Sequence, residues 1–238
     1  MKKITLILLV IILIVVSGCV SQNFENEIYN IEGPTYALPI PEFDGNISLE
    51  TALESRRSRR NFQDKAISLE QLSQILWAAY GITSPNSNSE SRGGLRTTPS
   101  AGALYPLEIY VIVGNIENLA PGVYKYISET HEIMRVIDGD IRSELSEAVV
   151  NSNMVLEAPI TIFYSAIFDR TTDTYGERGR NYVYIELGHS AQNIYLQVET
   201  LGLGTVAVGA FTDDEVKRIL KLPANETPLY IMPIGYYN

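Results

Sequence analysis

Arg56-Arg57-Ser58-Arg59-Arg60 sets four guanidiniums and a hydroxyl within five residues. Planar guanidinium forks stay charged at any working pH and suit bidentate binding of phosphate. Arg56, Ser58 and Arg60 converge on one anion if the backbone turns there; a solvated basic run or a dibasic processing site would use the same residues. A second stretch, Thr97-Thr98-Pro99-Ser100-Ala101-Gly102-Ala103-Leu104-Tyr105-Pro106, holds small residues between two prolines. Small side chains let backbone come close to a flat ligand, and exposed N–H groups there could bond a carbonyl-rich heteroaromatic ring. An ordinary turn into a strand is the plainer alternative. The third feature is Glu186-Leu187-Gly188-His189 followed by Gln192-Asn193. The two amides suit a heterocycle edge or a packing network, and His189 reads as a hydrogen-bonded helix residue before a base. Gly188 inside a helix costs about 1 kcal/mol against alanine, which close packing would explain. In the fourth, Gly202-Leu203-Gly204-Thr205 runs into Val208-Gly209-Ala210-Phe211. A dinucleotide fingerprint needs strand, glycines and helix in that order, whereas these glycines lie between a helix and a strand. They read as a turn and strand end where a ligand could lie against backbone.

Composition removes other chemistries. The chain has 238 residues, 45% apolar and 19% charged, which suits one large domain with a full core. Its single cysteine, Cys19, excludes an intramolecular disulfide or a multi-cysteine cluster, and His131 and His189 lack metal-ligand spacing, so no metal site is expected. A net charge of −10 argues against nucleic-acid binding. No Gly-x-Ser-x-Gly motif is present. A bound organic cofactor is left to carry any hard chemistry.

The elements that must position these residues follow from pattern. Lys2 and Lys3 precede an apolar run from Ile4 to Val16, too short to span a bilayer, that closes on Val16-Ser17-Gly18-Cys19. Residues 1–18 therefore read as a lipoprotein-type signal peptide with lipidation at Cys19, and an uncleaved anchor is the alternative. Residues 19–47, with three prolines and no period, read as a tether, and 48–238 as the working domain, exported and held at the membrane. Ser68 and Gln71 form a capping box before a helix over Leu69–Ala79 that Gly81 ends. A mobile loop is expected over Ser84–Arg96, strands at Ile109–Val113, Ile160–Ser165, Thr205–Val208 and Leu229–Gly235, and a hairpin over Val123–Ile137. Helices are expected at Ile141–Val150, at Tyr182–Leu201, and after Thr212, capped with Glu215. Asp169–Gly179 reads as a loop long enough for a lid. Just beyond it Arg180 and Tyr182 could orient an acceptor or move a proton, or merely start the helix. Strands and helices intermix, so the class is α+β.

These four blocks, in this order over about Leu49 to Tyr237, resemble the nitroreductase-like flavoprotein superfamily, nearest to its SagB-type branch, related to the oxidases that turn thiazolines and oxazolines into azoles. The resemblance implies a three-layer α-β-α sandwich built as an intertwined homodimer with FMN at the interface. It implies that Arg56, Arg57, Ser58 and Arg60 grip the FMN phosphate and ribityl chain. It implies that Pro99, Ser100, Ala101 and Gly102 lie against the isoalloxazine, with Gln192, Asn193, Val208 and Gly209 also at the cofactor. The implied reaction is a ping-pong transfer of two electrons from a donor to a small-molecule or peptide acceptor. Azole-forming members carry a lysine–tyrosine pair where this sequence has Arg180 and Tyr182. A nitro or quinone reductase using NAD(P)H is the rival enzyme, and a non-catalytic flavin- or peptide-binding lipoprotein the rival from another class.

Overall fold

The computed structural model describes residues 33–85, 94–150 and 152–237. In chain order its elements are β1 (Thr35–Ala37), α1 (Leu49–Ser55), α2 (Leu69–Tyr80), β2 (Ile82–Pro85), β3 (Gly94–Arg96), β4 (Leu107–Val113), β5 (Gly122–Ile127), β6 (Glu132–Asp138), α3 (Arg142–Glu147), α4 (Asn153–Glu157), β7 (Ile160–Ala166), α5 (Asp169–Tyr175), α6 (Arg178–Thr200), β8 (Gly204–Thr205), α7 (Asp213–Leu220) and β9 (Thr227–Gly235). Seven strands form one antiparallel sheet in the order β1-β6-β5-β4-β7-β9-β8. β4 explains its own apolar run. Strand side chains alternate between faces, so Ile109, Val111 and Val113 join α2 and α6 in one core, while Tyr110 and Ile112 join α3, α4 and α7 in the other. The result is the expected three-layer α-β-α sandwich.

α2 begins at the expected capping box: Ser68 Oγ accepts from Gln71 N at 3.2 Å, and Gln71 Oε1 accepts from Ser68 N at 3.0 Å. α6 runs longer than its apolar period indicated, starting at Arg178. The expected lid over Asp169–Gly179 is mostly helix α5, which turns at Gly176 (φ 57°) directly into α6. Packing decides this. A Cβ on Gly179 would meet the carbonyl oxygen of Thr171 at 2.9 Å, so the missing side chain lets the helices close. β2 and β3 occupy the ends of the expected mobile loop as an antiparallel pair. At α7 the Thr212 side chain makes no capping bond.

Part of the stretch read as a tether is folded onto the domain. β1 pairs with β6, and Leu38 is buried. The Pro39 carbonyl accepts from Ser73 Oγ at 2.5 Å and lies 3.1 Å from His131 Nε2. The Gln74 amide brackets Glu42, accepting from its N–H at 2.8 Å and donating to its carbonyl at 3.1 Å. The expected signal peptide and Cys19 lie outside the described residues.

Candidate functional site

α6 is the spine of the site, presenting Tyr182, Glu186, Asn193 and Tyr195 to two different loops. Tyr195 and Glu186 are nine residues apart, about 13 Å along the axis.

At the Tyr195 end stands the arginine segment. Ser58 bridges Thr205 as an isolated parallel pair, and Arg59 N donates to the Thr205 carbonyl at 2.8 Å. Ser58 Oγ lies 3.2 Å from the Tyr195 hydroxyl, which accepts from Ala207 N at 2.8 Å. The Arg56 guanidinium sits over the Tyr195 ring at 5.3 Å. Arg57 folds back to donate to the carbonyls of Glu54 and Arg56, while its backbone N–H meets Glu199. Arg59 stacks on Tyr237 at 4.2 Å, and its Nε is buried with no hydrogen-bond partner among the described residues. Arg60 lines a hollow of about 450 Å³ with Asn61 and Ser152, and shares a second of about 350 Å³ with Ser58, Arg59 and Tyr237. Arg56 and Ser58 thus share the Tyr195 side, and Arg60 meets Ser58 in the second hollow. None of the four arginines pairs with a carboxylate among the described residues. In a chain of net charge −10 these four guanidiniums are charge that no described carboxylate neutralises.

At the Glu186 end lies the 97–106 loop. Gly102, Ala103 and Tyr105 all have positive φ (62°, 54° and 46°), a strained run of the kind held at ligand sites. A Cβ on Gly102 would sit 2.9 Å from the Tyr175 hydroxyl, so α5 closes over this backbone. Asn193 donates to the Thr97 carbonyl at 3.3 Å and to Thr98 Oγ1 at 3.2 Å, fixing the loop's entry. Tyr105 N donates to Ser100 Oγ at 2.9 Å. Beneath the loop, Glu186 is only 2% exposed and accepts a hydrogen bond from the Tyr80 hydroxyl. Burial pushes its carboxyl up to about 7, against the pull of that hydroxyl and of Arg96. Arg96 lies 4.5 Å from the Tyr80 ring and 4.6 Å from the Tyr105 ring, and pairs with Glu129 at 2.8 Å. Sequence reading placed Glu186 in the helix motif without assigning it a role. An acid on the apolar side of α6 was the signal available.

Other expected residues fall differently. Pro99 and Gly102 are exposed, Ser100 and Ala101 half-buried. Gln192 and Gly209 are exposed, and Val208 is buried and paired with Ile231. Arg180 and Tyr182 meet different neighbours. Residues two apart on a helix face away from each other. Arg180 covers the Phe168 ring at 4.7 Å, while Tyr182 meets Tyr175 edge-on at 5.2 Å with Arg178, not Arg180, as its nearer cation. Gly188 has open space where its Cβ would be, so close packing within the chain does not account for it. A cleft of about 510 Å³ is lined by Phe43, Trp77, Gln74, Thr97 and Asn193 among others, and by none of the arginines.

Residues 53–236 match the nitroreductase family. The chain belongs to that family. A Methanocaldococcus jannaschii protein that carries the name nitroreductase is 45% identical over 203 residues, 85% of this chain and 98% of that one. A Ralstonia eutropha protein crystallised under the same name superposes with a TM-score of 0.72 at 27% identity, over 86% of this chain and 90% of that one. A chain of the E. coli microcin synthetase McbBCD complex, with truncated pro-MccB17 bound, superposes with a TM-score of 0.65 at 26% identity, over 85% of this chain and 78% of its own. This nitroreductase-family chain is accordingly an oxidoreductase.

Proposed function

We propose that this protein is an FMN-dependent oxidoreductase of the SagB-type branch, passing two electrons by a ping-pong mechanism between a donor and a small-molecule or peptide acceptor. The observation that carries the reading is the arginine segment: four guanidiniums without carboxylate partners among the described residues, with Ser58, Arg59 and Arg60 lining two adjoining hollows. These groups fit a phosphate monoester. Arg56, Arg57, Ser58 and Arg60 would hold that end of FMN. The Pro99–Gly102 backbone and Asn193 suit the edge and face of its ring, with Val208 and Gly209 at the strand end. When bound, FMN supplies the two-electron chemistry. The chain's part is to anchor, to exclude water through α5 and Tyr175, and to hold charge and protons at the ring edge. The microcin synthetase likeness supports a peptide among the acceptors.

A homodimer fits the same reading. Tyr184 and Ile185 are about half exposed on α6, and open space over Gly188 on that helix leaves room for a second backbone. The Lys2-to-Cys19 pattern supports export and a lipid anchor. Cys19→Ser should then leave the protein unanchored or unprocessed, and an unmodified, uncleaved wild-type N-terminus by intact mass would refute the anchor.

The function itself is tested by reconstituting the protein with FMN, reducing it anaerobically and adding acceptors in turn. Reoxidation by an acceptor at stoichiometric yield is the expected result. A bound flavin that stays reduced with every acceptor would make the protein a binding module, and failure to bind any flavin would refute the reading.

A further inference from the structure

Four charged side chains meet where β4 begins. Lys125 Nζ of β5 lies 2.9 Å from Glu108 Oε2 of β4 and 3.1 Å from Oε1 of Glu226, just ahead of β9. The buried Glu226 also accepts from the Tyr110 hydroxyl at 2.9 Å and from Ser165 Oγ at 2.5 Å. Burial acts to lower the Lys125 ammonium, but Glu108 and Glu226 hold it above the ordinary lysine value, so the cluster stays ionised. Arg170 of α5 is the fourth member, with Nη1 2.5 Å from Glu108 Oε1. Two cations thus balance two carboxylates, the condition on which buried charge is tolerated. One bond leads out of the cluster. The same Arg170 Nη1 donates to the Tyr105 carbonyl at 3.2 Å. Tyr105 has φ 46°, a conformation that favours glycine, so its backbone stays there only where its surroundings fix it. Its N–H is held by Ser100 Oγ at 2.9 Å, and its ring lies against Arg96 at 4.6 Å and edge-on to Tyr80 at 5.8 Å. The next carbonyl, of Pro106, accepts from Ile167 N at 2.9 Å. The corner between β7 and α5 therefore grips the exit of the 97–106 loop at two successive carbonyls, as Asn193 grips its entry.

We propose that Arg170 is a positioning residue for the 97–106 loop: anchored by Glu108 in the buried cluster, it clamps the Tyr105 carbonyl and so holds the loop backbone in its positive-φ form against the ligand. Arg170 acts through that backbone and touches no reacting atom. The cluster makes the clamp stiff. Moving the guanidinium off Tyr105 means disturbing an ion pair whose carboxylate Lys125 also holds. The ligand is the flavin of the preceding section, so the inference rests on that reading for what meets the loop, whereas the clamp is a property of the chain itself.

Two measurements test it. The first is amide hydrogen exchange of the flavin-free chain. Arg170→Gln leaves Glu108 paired with Lys125. It should speed exchange across 97–106 by about tenfold, the weight of one charge-assisted hydrogen bond, while β7 and β9 exchange as in wild type. Should that variant fail to fold, Arg170→Lys keeps the charge balance without the guanidinium fork and should loosen the loop in the same direction. Wild-type exchange across the loop in the glutamine variant, or in the lysine variant if only that one folds, overturns the inference, whatever binds at the arginines. The second is the two-electron midpoint potential with FMN bound. Backbone donors that are held less firmly stabilise reduced flavin less, so Arg170→Gln should lower the preference for the reduced form by about tenfold, or about 30 mV. Its preference for FMN over riboflavin, set at the arginine segment, should stay that of wild type. A wild-type potential, or a phosphate preference that falls in step, overturns the positioning role while leaving the flavin reading intact. A loop that loosens as expected in a chain that binds no flavin overturns that reading and the ring-side half of this one.

Discussion

Glu186 and Gly102 mark the two physical demands that the 97–106 loop makes on single residues. Burial raises the Glu186 carboxyl from 4.5 to about 7. The folded state therefore binds more protons than the unfolded state between those values, and stability falls as pH rises through that window. Glu186→Gln should flatten this fall, which is a loss of a few kcal/mol in wild type, when thermal midpoints are recorded across it. An unchanged pH dependence would contradict the assignment. Gly102 has φ 62° and lies against the Tyr175 hydroxyl. Gly102→Ala should cost about 1–2 kcal/mol by urea denaturation, because a Cβ is strained in that conformation. Tyr182 packs on Tyr175, whose hydroxyl lies against Gly102 in the loop. Tyr182→Phe should slow single-turnover electron transfer at the flavin while leaving FMN affinity intact, and equal rates would remove it from the mechanism.

α6 joins the two halves of the site, and Tyr195 is its clasp on the arginine side. Tyr195→Phe removes the acceptor of Ala207 N and the partner of Ser58 Oγ, and should cost about 1–3 kcal/mol in chemical denaturation. Much at this scale was legible in the sequence. Ser68 with Gln71 and the β4 run are local signals, because a helix cap and a buried strand each write their own pattern. What escaped depended on distant partners. β1 is three residues long and exists because β6 offers an edge, with Ser73, His131 and Gln74 holding the chain that follows. Asp169–Tyr175 has the threonines of a loop, yet Gly179 lets it dock as helix α5. Arg180 and Tyr182 looked paired because adjacency in sequence hides the turn of a helix. Glu186 was visible as a letter, but its burial beside Tyr80 was not.

For the whole molecule, two loop sites lie along one helix whose outer face carries Tyr184, Ile185 and Gly188. Ile185→Glu should lower the mass found by analytical ultracentrifugation to that of a monomer, and a monomeric wild type would refute the dimer. The central claim is that the arginine segment binds the phosphate of FMN. The most direct measurement compares FMN with riboflavin, which lacks that phosphate, by fluorescence titration of the flavin-free protein. Each charge-assisted bond is worth about 1.5–3 kcal/mol, so wild type should prefer FMN by at least about a hundredfold. The Arg56→Ala, Arg60→Ala double variant should lose that preference while remaining folded. Equal affinity of the wild type for the two flavins, or an unchanged preference in the double variant, would contradict the account.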